Sequence, residues 1–445
     1  MRCALITLTL LLAPTAHAAP PLGELVRDYL QSAGADRRLE DAIVAHPDAS
    51  PRNVIATIRS AELWLTKTPG IQDLSLQLGA AQASYRIHVS VPASYTIEKR
   101  WPLIVALHGS GGRPEDIMGY VRSLLGPRAD EFIIAAPEGF GSMHLRGDAD
   151  ETNRPRDLVV ALRREFRIDD RRVHLMGYSL GGHNTWLGGV LHADLFAGLM
   201  PLATPLQVVG NEVLFPDLLP NLRNTYTLFC WGENDNVGAD GNVREDGGNA
   251  AWNRHMSQVM REVGVRGFRP IELAGVVHGN VRPPADAVSE WLNQKRRRYP
   301  KHIQQMFRLP ENSAAYWARC VELQAPPLAD GELRIRLKKD DDLKKKQRQY
   351  MTQKLGVIEA SVEGQSIRLR SRNAETIELL LHDKLIDLDQ PVTILRGSRE
   401  LFHGKIPRDL RVLLREAAND WDFDRFFTSR VVIRRGRPVR FNDES

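Results

Sequence analysis

A serine framed by glycines, in the run Val173-His174-Leu175-Met176-Gly177-Tyr178-Ser179-Leu180-Gly181-Gly182, is the most pointed chemical feature of this sequence. The apolar segment Val173–Met176 reads as a strand and Leu180–Leu191 as a helix, so Ser179 falls on the turn between them. A hydroxyl attacks only when lifted clear of the main chain on such a turn, and the flanking glycines let neighbouring backbone approach it. A second glycine-rich run, His108-Gly109-Ser110-Gly111-Gly112, follows the apolar strand Leu103–Leu107. There a backbone N–H from Ser110 or Gly111 can join the Leu180 N–H in holding a tetrahedral oxyanion. His108 precedes the nucleophile and is read as packing the loop.

A base and an orienting acid must come from elsewhere. Where a serine elbow of this kind rises from a parallel sheet, they follow the serine in the order acid then histidine, each just after a strand. Asp235, in Gly232-Glu233-Asn234-Asp235, follows the strand Tyr226–Trp231 and is the acid candidate. His278 is the base candidate, closing a strand expected over Ile271–Val277. Glu233 and Asp240 rival Asp235, and His255 rivals His278, although His255 falls in the middle of a helix. A neutral His278 would take the Ser179 proton, while Asp235 would hold its tautomer and stabilise the imidazolium. No cofactor or metal is called for: H-E-x-x-H, paired C-x-x-C and G-x-x-x-x-G-K-[ST] are all absent.

These residues need a scaffold. Near-continuous apolar runs at Leu103–Leu107, Phe132–Ala136, Val173–Met176, Leu199–Ala203, Tyr226–Trp231 and Ile271–Val277 suit parallel strands buried on both faces. Helical segments such as Arg156–Phe166 separate them, which makes βαβ units and a mostly parallel sheet. Tyr85–Val91 alternates as an antiparallel edge strand would. Ahead of the sheet, Leu22, Leu25, Val26, Tyr29 and Leu30 form a helical stripe that Gly34 can end. Ser50-Pro51 opens another stripe through Val54, Ile58, Ala61 and Leu65. The basic cluster Lys295-Arg296-Arg297-Arg298 is read as a solvated helix end. Beyond it, β-like segments at Glu332–Leu337, Val357–Val362, Ser366–Leu369, Thr376–Leu381 and Val392–Leu395 precede a helix near Arg408–Ala417 and Val431–Arg434. The mixed-charge stretch Lys338–Arg348 is expected to be a solvated loop or hairpin tip.

The expected organisation is a leader over residues 1–18, a helical segment over 19–68, a catalytic α/β-hydrolase domain over 69–305 and a β-rich, sandwich-like domain over 306–445. Arg2, the apolar run Ala4–Ala13 and Ala16-His17-Ala18 form a secretory signal, too short to span a bilayer, so a secreted or periplasmic location is expected. Apolar residues at 42% and charged residues at 26% describe a globular chain rather than a disordered one. A net charge of +5 is scattered, with no basic stripe interleaved with aromatics, so nucleic acid is not an expected partner. An anionic surface or a polymer would be held only weakly. Cys230 and Cys320 either pair or stay as two buried thiols.

The segments Trp101–Gly112, Asp170–Gly182 and Gly232–Val237 with His278 resemble the poly(3-hydroxybutyrate) depolymerase, feruloyl esterase and dienelactone hydrolase branch of the α/β-hydrolases, and also the prolyl-oligopeptidase catalytic domain. The resemblance covers residues 80–300 or so and implies Ser179, His278 and Asp235 as a triad. Ester hydrolysis is the leading expectation. A serine peptidase of prolyl-oligopeptidase type is an alternative, weakened because about 50 mature residues before the sheet cannot build a β-propeller. An inactive hydrolase fold that binds polymer is a third. A chain cut after residue 305 is expected to keep activity on small esters.

Overall fold

The apolar runs resolve into one large sheet wrapped by helices in a computed structural model, which describes residues 20–441 except 142, 146, 207–214, 237–242, 245–246, 328–341 and 435–439. The expected leader and the segment Glu332–Leu337 therefore lie outside the described residues, as does most of the glycine-rich stretch Gly238–Gly248 that follows Asp235 in sequence. Three helices come first, Leu22–Gln31 (α1), Arg37–Ala45 (α2) and Pro51–Ser60 (α3). Ser50 accepts from the Asn53 N–H and caps α3. The stripe expected to reach Leu65 stops at Ser60, and Leu65 is exposed.

Then follow Gly70–Leu78 (β1), Ala83–Val91 (β2), Trp101–Leu107 (β3), Pro114–Leu125 (α4), Ile133–Pro137 (β4), Ala149–Glu165 (α5), Ile168–Tyr178 (β5) and Leu180–Leu191 (α6). Gly198–Leu202 (β6), the single turn Phe215–Leu218 (α7), Tyr226–Gly232 (β7), Gly248–Glu262 (α8), Phe268–Leu273 (β8) and Ala285–Leu292 (α9) complete the unit. The eight strands order as β1-β2-β4-β3-β5-β6-β7-β8. Pairings from β4 to β8 are parallel, and only β1–β2 and β2–β4 are antiparallel. This is the α/β-hydrolase fold. The strand at Tyr85–Val91 is not an edge, because β1 pairs outside it.

Why β3 and β4 read as unbroken apolar runs is visible in where their side chains go. Leu103, Val105 and Ile133 enter the core under α5 and α6, with Leu158, Leu162 and Leu187. Their neighbours Ile104, Ala106 and Ile134 enter the opposite core under α4 and α9, with Ile117, Val121 and Trp291. Side chains alternate across the sheet, and with helices on both faces every position is apolar.

The C-terminal region contains His302–Phe307 (β9), Ala318–Glu322 (β10), Leu343–Lys354 (α10), Gly356–Glu363 (β11), Ser366–Arg372 (β12), Thr376–Leu381 (β13), Val392–Arg396 (β14), Arg399–Gly404 (β15), Leu410–Asp420 (α11), Ser429–Arg434 (β16) and Arg440–Phe441 (β17). The sheets β10-β13-β16-β17 and β15-β14-β12-β11-β9 share one apolar core, with Ile358, Ile367 and Ile394 from one against Ile377, Leu379 and Ile433 from the other. The pair β12–β14 is parallel, so the region is not a purely antiparallel sandwich. Residues 343–348 belong to α10 rather than to a loop or hairpin tip.

Among the described residues, an apolar contact and a buried ionic cluster both help bind this region to the hydrolase unit. Met306, Met351 and Leu355 pack into the core beneath α5 and α6. A buried cluster sets Arg163, Arg296 and Arg425 against Asp170, Asp194 and Asp422. Arg296 is thus no solvated helix end: its Nη1 lies 2.6 Å from the Asp422 carboxylate with both groups buried. The N-terminal helices sit on the C-terminal region too, because Val26, Tyr29 and Ile58 share a core with Leu413, Leu414 and Phe426. Cys230 and Cys320 are both buried free thiols. No helix among the described residues is long and apolar enough to cross a membrane.

Candidate active site

The nucleophile candidate stands on a turn that only its neighbours make possible. Ser179 links β5 to α6 with φ 55° and ψ −117°, a conformation uncommon for a residue with a side chain. A Cβ on Gly177 would run into the Gly181 carbonyl, and one on Gly181 would run into the Leu107 carbonyl. The glycines are therefore required by close backbone approach. The Ser179 N–H donates to Leu202 O at 2.9 Å, and the His183 N–H donates to Ser179 O at 2.9 Å. Together these bonds hold the elbow from the neighbouring strand and from the helix.

The loop after β3 lies directly over this turn. A Cβ on Gly109 would lie beside Tyr178 O and Ser179 Cβ. The Gly112 N–H closes back onto Gly109 O at 3.1 Å, and Gly111 has φ +69°. Leu180 opens α6, where a main-chain N–H has no partner within its own helix. Ser110 and Gly111 are exposed at the loop's tip. His108 Nδ1 donates to Gly109 O at 2.9 Å, so that ring braces the loop.

Asp235 and His278 arrive from the C-terminal ends of β7 and β8. The strand before His278 ends at Leu273, earlier than the expected Val277, and a turn carries the chain onward. The two loops continue to pair past the strands: Glu233 N–H donates to Leu273 O and Asn234 N–H to Val276 O, both at 2.9 Å. Glu233, a rival for the acid, accepts from the Gly275 N–H at 2.8 Å and so ties the two loops. His255 is exposed on α8 with its ring edge-on to Trp252, and Asp240 lies outside the described residues.

The three side chains meet in line. His278 Nε2 lies 2.9 Å from Ser179 Oγ. His278 Nδ1 lies 3.0 Å from each Asp235 oxygen. Asp235 is buried at 3% side-chain exposure, whereas the imidazole is 42% exposed. The bond from Asp235 raises the His278 pKa above its ordinary value, against burial, which lowers it. With Nδ1 donating to the carboxylate, Nε2 is left to accept the serine proton. Asn249, near the start of α8, donates to Asp235 Oδ1 at 3.3 Å. Nothing in its spacing marks it, because the chain between Asp235 and α8 carries no motif.

No family model matches the chain. Over 141 residues it is 30% identical to the protein named "Putative esterase NocK" of Nocardia uniformis subsp. tsuyamanensis, covering 29% of this chain and 40% of that protein. Over 138 residues it is 26% identical to the bifunctional acetylxylan esterase/xylanase XynS20E of Neocallimastix patriciarum, covering 30% of this chain and 20% of that one. The chain thus spans well under half the length of these relatives. Among solved structures, the ferulic acid esterase AmCE1/Fae1A of Anaeromyces mucronatus aligns over 52% of this chain and 95% of its own, at 15% identity and a TM-score of 0.38.

Proposed function

We propose that the protein is an exported serine hydrolase that cleaves carboxylic esters, with Ser179 as nucleophile, His278 as base and Asp235 as the acid that orients it. The observation that carries this reading is the line of contacts Ser179 Oγ–His278 Nε2–Asp235 on an elbow at the C-terminal end of the sheet. Ser179 Oγ attacks the ester carbonyl carbon as its proton passes to His278 Nε2. The carbonyl oxygen becomes an oxyanion, held by the Leu180 N–H and an N–H of the Ser110–Gly111 loop. Collapse breaks the bond to the alcohol oxygen, which takes the proton from His278 and leaves. Water, deprotonated by the same ring, then releases the acid from the acyl-serine.

Ester rather than amide cleavage follows from the leaving group. An alcohol oxygen leaves readily as it takes the His278 proton, whereas the far poorer amine leaving group must be protonated at the correct angle within a site that grips the peptide. Identity to proteins named as esterases points the same way. The test is a panel of p-nitrophenyl esters, feruloyl esters, hydroxybutyrate oligomers and peptide anilides, with fluorophosphonate labelling alongside. Labelling and turnover should vanish together in Ser179→Ala, with turnover falling by about 10⁶-fold, as for other triads. Higher kcat/KM on the anilides than on every ester would replace the esterase reading with a peptidase one.

A further inference from the structure

The residue just before the nucleophile reaches across the sheet to the base. Tyr178 ends β5, and its partly buried ring packs against the core beneath α4 and α9. Its hydroxyl donates to the main-chain carbonyl of His278 and accepts from the Val281 N–H at 3.1 Å. Tyr120, on α4, donates to the Val281 carbonyl at 2.9 Å. The two phenol rings meet edge-on with centroids 5.5 Å apart, and the Tyr178 ring meets the His278 ring edge-on at 6.1 Å.

The segment held this way has little structure of its own. His278–Asn280 is a single 3-10 turn, and the Asn280 N–H donates back to Val277 O, at 3.2 Å. Val277 is exposed, while Val281 is buried at 1% exposure and anchors the segment's far end. An imidazole on so short a turn would pivot about the chain unless its own carbonyl were held. We propose that Tyr178, backed by Tyr120, is a positioning residue that fixes the His278 turn against the nucleophile elbow. This rests on the triad reading above, since positioning matters only if His278 is the base. The main chain of Tyr178 carries Ser179 and its hydroxyl carries the His278 turn. One residue therefore references both partners in the proton transfer, and movement of β5 shifts them together.

Tyr178→Phe keeps the ring and deletes both hydroxyl bonds. Misplacing a reacting group by about 1 Å can cost on the order of 100-fold, so kcat should fall roughly 10- to 100-fold with KM within about twofold. The acid limb of the pH–rate profile should also move to lower pH, because a loosened turn weakens the His278–Asp235 bond that raises the histidine. Tyr120→Phe should shift both readouts in the same direction by less, and it stands in if Tyr178→Phe does not fold. Rates are taken per active site titrated with a fluorophosphonate, so unfolded molecules do not count. Ile377→Val, in the C-terminal core, controls for lost stability and should leave both readouts unchanged. The positioning role is overturned if Tyr178→Phe matches the parent in kcat per titrated site, or if kcat falls with no movement of the acid limb. Turnover surviving in Ser179→Ala would instead overturn the triad, a result that Tyr178→Phe cannot mimic.

Discussion

Replacing Asp422 by alanine should unfasten the C-terminal region from the hydrolase unit. Asp422 Oδ2 lies 2.6 Å from Arg296 Nη1, 3.6 Å from Arg425 Nε and 3.9 Å from Arg163 Nη2. Its Oδ1 accepts the main-chain N–H groups of Asp424 and Arg425, each at 3.1 Å. Alanine removes one negative charge from a buried cluster of three guanidiniums and three carboxylates, leaving net positive charge in the interior. Among the described residues the Arg296 guanidinium is then left with a 3.4 Å bond to Asp194 O, since its Nε and Nη2 already have no partner there. Breaking one side of a buried pair costs about 3–5 kcal/mol, and the two orphaned N–H groups push the loss to the upper end. The exposed pair Arg269–Glu290 is the comparison, and Glu290→Ala should cost less than about 1 kcal/mol. Urea unfolding followed by tryptophan fluorescence measures both. Burial alone would raise the Asp422 carboxyl, but Arg296, Arg163 and Arg425 hold it well below the ordinary carboxylate range. Its contribution is therefore fully present above the unfolded-state value near 3.9 and is lost as pH falls towards the folded value. A variant within about 1 kcal/mol of the parent at pH 7, or a gap that widens on acidification, would refute the reasoning.

Activity should rise with pH through a midpoint above the ordinary histidine value near 6.5, because the Asp235 bond raises His278 and only the neutral ring accepts a proton. By the same sign, the charged His278–Asp235 pair adds stability below about pH 6.5 that is lost as pH rises through the folded value, which acid-to-neutral unfolding series will read. Asp235→Asn should lower kcat by about 10⁴-fold and move the midpoint down, whereas Glu233→Gln should stay within about tenfold of the parent; equal losses in the two would undo the assignment of the acid. A chain ending at residue 305 should fail to fold, contrary to the sequence-based expectation, because it strips Met306, Met351 and Leu355 from the hydrolase core and leaves Arg163, Asp194 and Arg296 without their C-terminal ion partners and Asp170 without the Phe423 N–H. A truncation that circular dichroism shows to be folded and that cleaves small esters would overturn this.

What could be read along the chain was what local rules write there. The strand–serine–helix turn around Ser179 is a contiguous pattern, since apolar run, glycines and helix all fall between Val173 and Leu191. The central strands announced themselves because burial on both faces forbids polar positions, as in β3. Asp235 and His278 could be named from a rule of order and strand-end placement. The strand before His278 is shorter than its apolar run, because Val276 sits on a loop extension that pairs with Asn234 like a strand without being one, and Val277 lies beyond it.

Local pattern along the chain suffices for the α/β-hydrolase sheet and for naming candidates for a shared proton path. How far the remainder of the chain belongs to that unit is written only in contacts between distant segments. Lys295–Arg298 looks like a solvated helix end because charge in a sequence carries no mark of its partner. The partner of Arg296, Asp422, is more than a hundred residues away and buried beside it. The same holds for α3 packing near α11, for Asn249 on Asp235 and for Tyr178 on the His278 turn. Periodicity reports which face of an element is buried, and turn chemistry reports where the chain reverses. Neither reports which distant surface closes over that face, because complementary packing and paired charge are properties of two segments brought together.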